Sequence, residues 1–209
     1  MTVLHNIGHF GGGTTTKDVL TYSKCIADLY QIDLVDLSSL AHFNDGMRCL
    51  LICIDVFSKR AWAVPILNNS ARIEKILADG KCNMLQSDKG SEFLNSTFQN
   101  MLKRHDIKFY TSENEDLKAA VVERFNRTLK MKMYRYFTYN NMRRYVDVLD
   151  DLLHSYNNTY HRSIGMTPVE VSTDNEAVVR DRLYPIKARK SYKWKHCIGD
   201  RVRIAMRRL

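Results

Sequence analysis

Between Asp116 and Phe137, apolar residues return at every fourth position: Leu117, Val121, Phe125, Leu129, Met133 and Phe137. A helix gathers such residues on one side, and a spacing of four drifts slowly around its axis. Glu123, Asn126, Arg127 and Lys130 stand at offsets of three, four and seven, so they share a different face. That face holds one acid beside an amide and two cations. A charge run on a helix is ordinarily just a solvated face. What sets this one apart is a pair of acids elsewhere in the chain, placed where a sheet protein does not usually put them.

The first is Asp33, in Leu-Tyr-Gln-Ile-Asp-Leu-Val-Asp-Leu from Leu29 to Leu37. The segment reads as a strand with Asp33 in its middle, where a carboxylate is costly to desolvate unless something positive meets it. The second is Asp88, which follows a short apolar run and precedes a Lys89-Gly90 turn. A strand middle, a strand end and a helix face are three places from which carboxylates can converge.

Three stretches resemble the motifs of retroviral-type integrase catalytic cores: Tyr30-Gln31-Ile32-Asp33, Ser87-Asp88-Lys89-Gly90-Ser91-Glu92-Phe93, and Val122-Glu123-Arg124-Phe125-Asn126-Arg127-Thr128-Leu129-Lys130. The wording looks most like the integrases of Maverick/Polinton DNA transposons. Flanking text supports it, in Ile54 to Trp62 and in Tyr156 to Pro168. The likeness runs from about Cys25 to Val171. It implies an RNase H-like α/β fold: a mixed five-stranded sheet with helices on both faces. It also implies a catalytic trio of Asp33, Asp88 and Glu123, with Lys130 as a DNA-contacting lysine. Two departures are visible: Lys89 stands where Asn is more common, and Tyr30 where Trp is.

The chain has 209 residues, 44% of them hydrophobic, enough for one domain with a full core plus appendages. No apolar run approaches the ~20 residues of a membrane span, and no secretory signal is visible. The five cysteines are odd in number and irregular in spacing, which argues for reduced thiols in an intracellular protein. With the DNA chemistry implied by the resemblance, the expected location is the nucleus. Net charge is +9, and residues 180–209 supply all of it, with eleven Lys/Arg against two acids. Such a block favours a polyanion. Tyr192 and Trp194 lie among its lysines, and aromatics with cations can stack on nucleic acid. Lys190, Lys193, Trp194 and Lys195 are therefore expected DNA contacts, beside Asn126, Arg127 and Lys130.

Taken in order, residues 1–24 read as a flexible arm around Gly11-Gly12-Gly13. His5 and His9 have a metal-like spacing, yet only Cys25 follows at a plausible distance, so zinc is not expected. Strands are expected near 29–37, 48–56 and 60–66 as an antiparallel meander. A short helix at 71–78 comes next, about two turns shorter than in the cores it resembles. A strand at 82–87, a helix at 96–105, a strand at 107–111 and a polar loop at 112–116 lead into the long helix. Tyr145, Val148, Leu149, Leu152, Leu153 and Tyr156 form a stripe expected on a helix from Arg143 to Tyr156, as core or as a dimer surface. Thr167-Pro168-Val169-Glu170 is a capping box that starts a last short helix. Asp36 and Asp55 are expected to satisfy local backbone. His161 and Arg162 are open between phosphate contact and packing. The domain reading is an arm at 1–24, a catalytic core at 25–178, and at 179–209 a basic linker with the start of a truncated SH3-like or chromo-like barrel.

Three carboxylates without a nearby histidine suit hard cations, two Mg²⁺ or Mn²⁺ ions about 3.5–4 Å apart. If the chain works as the proteins it resembles do, Asp33 bridges both ions while Asp88 and Glu123 complete one site each. The expected activity is 3′-end processing and strand transfer of transposon DNA into target DNA. The partners are double-stranded DNA, from element ends and target, and further copies of the chain in a dimer or larger assembly. The alternatives are a decayed or domesticated DNA-binding protein, and an RNase H-like nuclease without strand transfer.

Overall fold

Seven consecutive residues of one strand, Cys49–Asp55 (β2), are all buried, because this strand has a helical layer on each side. Its alternate side chains serve different cores. The computed structural model describes residues 22–67, 73–77, 80–88, 93–111 and 119–185. β1 (Leu29–Asp36), β2, β3 (Ala61–Ile66), β4 (Met84–Ser87) and β5 (Lys108–Thr111) form one sheet in the order β3-β2-β1-β4-β5. The β1/β2 and β2/β3 pairs are antiparallel, and the β1/β4 and β4/β5 pairs are parallel. The helices are α1 (Glu74–Leu77), α2 (Ser96–Arg104), α3 (Ala120–Asn140), α4 (Leu149–Asn157) and α5 (Glu176–Leu183).

Leu50, Ile52 and Ile54 meet Val122, Phe125, Leu129 and Met133 of α3 and Tyr156 of α4. Leu51 and Cys53 face the other way, into a core with Ile76 of α1 and Phe98, Met101 and Leu102 of α2. The same alternation decides β1. Tyr30 and Ile32 join the α1/α2 core, so Gln31, Asp33 and Val35 look toward α3. The core therefore sits in two layers around a mixed sheet, and the acid in the middle of β1 stands on the α3 side.

On α3 the apolar stripe is seated as its period predicts, with one shift. At the N-terminal end Val122 is fully buried while Val121 is half-buried. A strict spacing of four overshoots a 3.6-residue turn, so a step of three back from Phe125 points deeper into the core. Leu117 lies outside the described residues. The helix runs on to Asn140 and closes with Asn141 in the left-handed conformation, φ 49°.

The expected helix over Arg143–Tyr156 begins instead at Leu149. The preceding residues are held by side chains from the segment after β1. Asn44 Oδ1 accepts the Tyr145 N–H at 2.7 Å, and the Arg144 guanidinium forks onto Asp45 at 2.7 and 2.8 Å. Tyr145 is fully buried as an anchor ahead of the helix, which is why it falls in register with the apolar stripe. The capping box forms, with the Thr167 N–H donating to Glu170 Oε2 at 2.8 Å, but it opens a single 3₁₀ turn, Pro168–Glu170. Nothing in the periodicity anticipates α5, whose one buried residue is Val179. α5 ties down the start of the described chain. Glu176 Oε1 accepts the Ile26 N–H at 3.0 Å, and the Tyr184 hydroxyl accepts the Ser23 N–H at 2.9 Å.

Candidate active site

The site lies where β1 and β4 run side by side under the first turns of α3. The register pairs Gln31 with Gln86 and Ile32 with Ser87. One step further, Asp33 and Asp88 are the next residues on the two strands. The Asp88 charge pushes the Asp33 carboxyl upward.

Gln31 holds α3 above them. Its Oε1 accepts the N–H groups of both Val121 and Val122 at 3.1 Å, and its Nε2 donates to Gln86 Oε1 at 2.9 Å. α3 has no side-chain cap of its own, since Ala119 occupies the cap position. A buried glutamine from β1 does the work of an N-cap by satisfying two of the helix's orphan donors. Asp88 Oδ1 takes a third, the Ala119 N–H, at 3.3 Å. This role of Gln31 is not evident from the sequence. The visible signal was an uncharged polar residue at strand parity with Asp33, next to apolar neighbours.

Asp33 is half-buried and its carboxyl is raised above the ordinary carboxylate range. Burial is the main cause. The Leu34 N–H, donated at 2.8 Å to Asp33 Oδ1, pulls it down, and the Asp88 charge pushes it up. The Asn126 amide, donated to Asp33 Oδ2, and the Lys130 charge also pull it down. So the structure brings together Asp33, Asp88, Asn126 and the charge of Lys130. Glu123 lies one helical turn before Asn126 on the same side of α3 and is exposed. No group of three or more His, Cys, Asp or Glu side chains close enough to hold a metal occurs among the described residues. Arg127 is exposed one turn after Glu123 on the same face. Lys190, Lys193, Trp194 and Lys195 lie outside the described residues, as do Lys89, the loop 112–116, His5, His9, Cys197 and the expected barrel strand.

The donor set suits a hard divalent cation. Asp33 and Asp88 offer carboxylate oxygens, and Asn126 Oδ1 is buried with no hydrogen-bond partner. A buried acceptor left unsatisfied beside two neighbouring acids is costly, and an oxygen-seeking cation relieves it. The residues present fit such an ion.

Other acids are spent locally. Asp36, on the opposite face of β1, accepts from the Ser38 N–H and hydroxyl. Asp55 is buried in the β2–β3 turn, where it accepts from the Phe57 N–H at 3.0 Å and the Ser58 hydroxyl at 2.7 Å. The His161 ring packs edge-on against Tyr156 with centroids 5.1 Å apart.

With this geometry in place, the likeness to known structures has a meaning. The fold is that of retroviral integrase catalytic cores. The chain superposes on a chain of the simian T-cell lymphotropic virus intasome, solved with a PP2A regulatory subunit, with a TM-score of 0.63 at 19% identity, covering 83% of this chain and 62% of that one. The catalytic core domain of HTLV-2 integrase, solved with magnesium in a trimeric form, gives 0.58 at 19% identity over 72% of this chain and 99% of that one. Its dimeric form gives 0.57. In sequence, the chain is 36% identical over 172 residues to a transposon-derived protein of Caenorhabditis elegans, covering 79% of this chain. The chain spans 57% of that relative's length. No protein-family model matches.

Proposed function

We propose that this chain is a DNA integrase of the transposon type, a polynucleotidyl transferase that processes 3′ ends and joins them to target DNA. The carrying observation is the interacting pair Asp33 and Asp88 beneath the α3 face that bears Glu123, Asn126 and Lys130. Integrase-core likeness and a transposon-derived relative support the same reading. The wording of the three motifs supports a Maverick/Polinton type.

Asp33, Asp88 and Glu123 would hold two Mg²⁺ or Mn²⁺ ions, with Asn126 Oδ1 beside them. When bound, such ions supply charge that activates an attacking oxygen and stabilises a leaving one. The chain's own residues do the rest. Gln31 fixes the first turn of α3 and with it the height of Glu123. Asn126 orients the Asp33 carboxylate. Lys130 and Arg127 hold phosphate. Water cleaves a phosphodiester near a DNA end and leaves a 3′-hydroxyl. That hydroxyl attacks a target phosphodiester and displaces the target's 3′-oxygen, so bonds broken and formed balance without an energy source. The basic segment 179–209 adds affinity for DNA, the assembly is a dimer or larger on DNA, and the site of action is the nucleus.

A second reading, DNA binding without catalysis, draws on the Asn126 amide that occupies Asp33 while Glu123 stands exposed one turn away. A labelled DNA duplex incubated with Mg²⁺ or Mn²⁺ separates the readings. Joined products support the integrase, cleavage alone makes it a nuclease, and binding alone leaves the DNA-binding protein.

A further inference from the structure

Beyond Lys130 the outer face of α3 continues to Asn140. Tyr134 and Thr138 follow Glu123, Arg127 and Lys130 at offsets of eleven and fifteen, which keeps all five in one line along the helix. Met131, Tyr134, Arg135, Thr138 and Tyr139 line a shallow concavity there. Its aromatic members are unusually open, Tyr134 at 58% and Tyr139 at 90% exposure. Open tyrosine rings beside a concavity offer flat apolar faces with a polar edge to a partner.

Charge decides which. α3 carries Arg124, Arg127, Lys130, Lys132 and Arg135 against a single acid, Glu123. Among the described residues, Arg127, Lys130 and Arg135 enter no salt bridge. A basic helix face with open tyrosines is complementary to a polyanion that also offers flat apolar surfaces. Duplex DNA hides its bases in the stack and presents sugar and phosphate. An unpaired strand presents both phosphate and base faces.

We propose that the Tyr134/Tyr139 concavity is a stacking site for an unpaired DNA base, with Arg135 on its phosphate. The site rests on the integrase reading and extends it. Eleven residues of helix separate Glu123 from Tyr134, about 16 Å along the axis. At about 3.4 Å per nucleotide, that is about five nucleotides from the reacting phosphodiester. The substrate class is therefore DNA frayed or single-stranded about five nucleotides from the scissile bond.

The test compares the full chain binding a blunt duplex and the same duplex with a five-nucleotide single-stranded extension, with 2-aminopurine at the far base. The expected result is tighter binding of the extended duplex and quenching of the 2-aminopurine. Tyr134→Ala removes both, lowering affinity for the extended duplex about 5- to 150-fold while leaving the blunt duplex unchanged. Tyr134→Phe retains both, because the ring does the stacking. Equal affinity of wild type for the two duplexes, or no change with Tyr134→Ala, overturns the site while leaving DNA cleavage by the Asp33 centre standing. A Tyr134→Ala chain that loses self-association in sedimentation but keeps its preference for the extended duplex also overturns it, and assigns the patch to a second copy. Failure to bind or cleave any DNA sinks the integrase reading itself.

Discussion

The Asn126 side-chain amide on α3 donates to the Asp33 carboxylate on β1, a bond between residues 93 apart in the chain. It closes the gap between helix and sheet at the point where Asp88 also presses on Asp33. The arrangement holds an acid in a place that burial makes unfavourable for its charge. Sites that keep such a group do so at a cost in stability.

That cost has a measurable sign. The folded pKa of Asp33 is raised above the unfolded value of 3.8. Stability from the protonated form is thus complete below that value and is lost as pH rises through the folded pKa. Asp33→Asn, which mimics the protonated acid, is expected to melt higher than wild type at pH 7 and at the same temperature near pH 3. Mg²⁺ is expected to raise the melting temperature of wild type at pH 7 and to leave the variant unmoved. Scanning calorimetry at the two pH values checks both.

Gln31 is fully buried and satisfies two backbone donors of α3. Gln31→Ala removes the acceptor of those two N–H groups and the amide that donates to Gln86 Oε1. The expected loss is about 2–4 kcal/mol, or about 4–16 °C in melting temperature for a domain of this size. The first turn of α3 should also gain amide hydrogen exchange at Val121 and Val122, while β2 keeps its protection. Unchanged exchange there would remove the capping role from Gln31.

The sheet and the long helix were legible because their periods are strong. β2 is apolar throughout, and α3 repeats its apolar residues over five turns. The acids of the site were found by being out of place in those periods. What stayed hidden was set by contacts across the chain. Asn44 stops α4 from starting at Arg143, and no local pattern announces a bond to Tyr145 some hundred residues away. Gln31 reads as one more polar strand residue until α3 is laid over it. α5 buries only Val179, so its stripe is too thin to see. Asn126, expected from sequence among the DNA contacts and beside the metal site, is largely buried against Asp33, because its offset of three from Glu123 turns it about 60° toward the apolar stripe.

Lys59, in the turn after β2, sits at φ 64° with its amine donating to the Val56 carbonyl at 2.6 Å. Burial pushes the amine down to about 8, Asp55 opposes the shift, and the Arg124 charge adds to it. A lysine depressed in the fold binds fewer protons folded than unfolded between that value and 10.5, so its contribution to stability grows as pH rises through this window. The difference in unfolding free energy between wild type and Lys59→Met should therefore move in favour of wild type from pH 7.5 to 9. Urea melts across that range measure it, and a constant difference would mean the amine is not depressed.

The basic segment makes a prediction about salt. Deleting residues 188–209 is expected to weaken duplex binding at 50 mM salt and to reduce the slope of log affinity against log salt by about 0.9 for each phosphate that the segment neutralises. An unchanged slope would show that the lysines and arginines of this segment do not touch DNA.

Glu123 stands in the first turn of α3 where Gln31 sets the helix height, one turn from Asn126. Its exposed carboxylate makes no contact that the fold depends on among the described residues. Glu123→Gln keeps the shape and removes the charge, so the melting temperature should not change. DNA affinity without metal should hold or rise slightly, since an acid has been removed from a basic face. Joining of labelled DNA ends should fall by about 10²- to 10³-fold, the scale of losing one charged group from a transition-state site. Measuring all three on the same preparation separates the roles. A variant that joins DNA as wild type does would remove Glu123 from the chemistry and leave Asp33 and Asp88 to act without it.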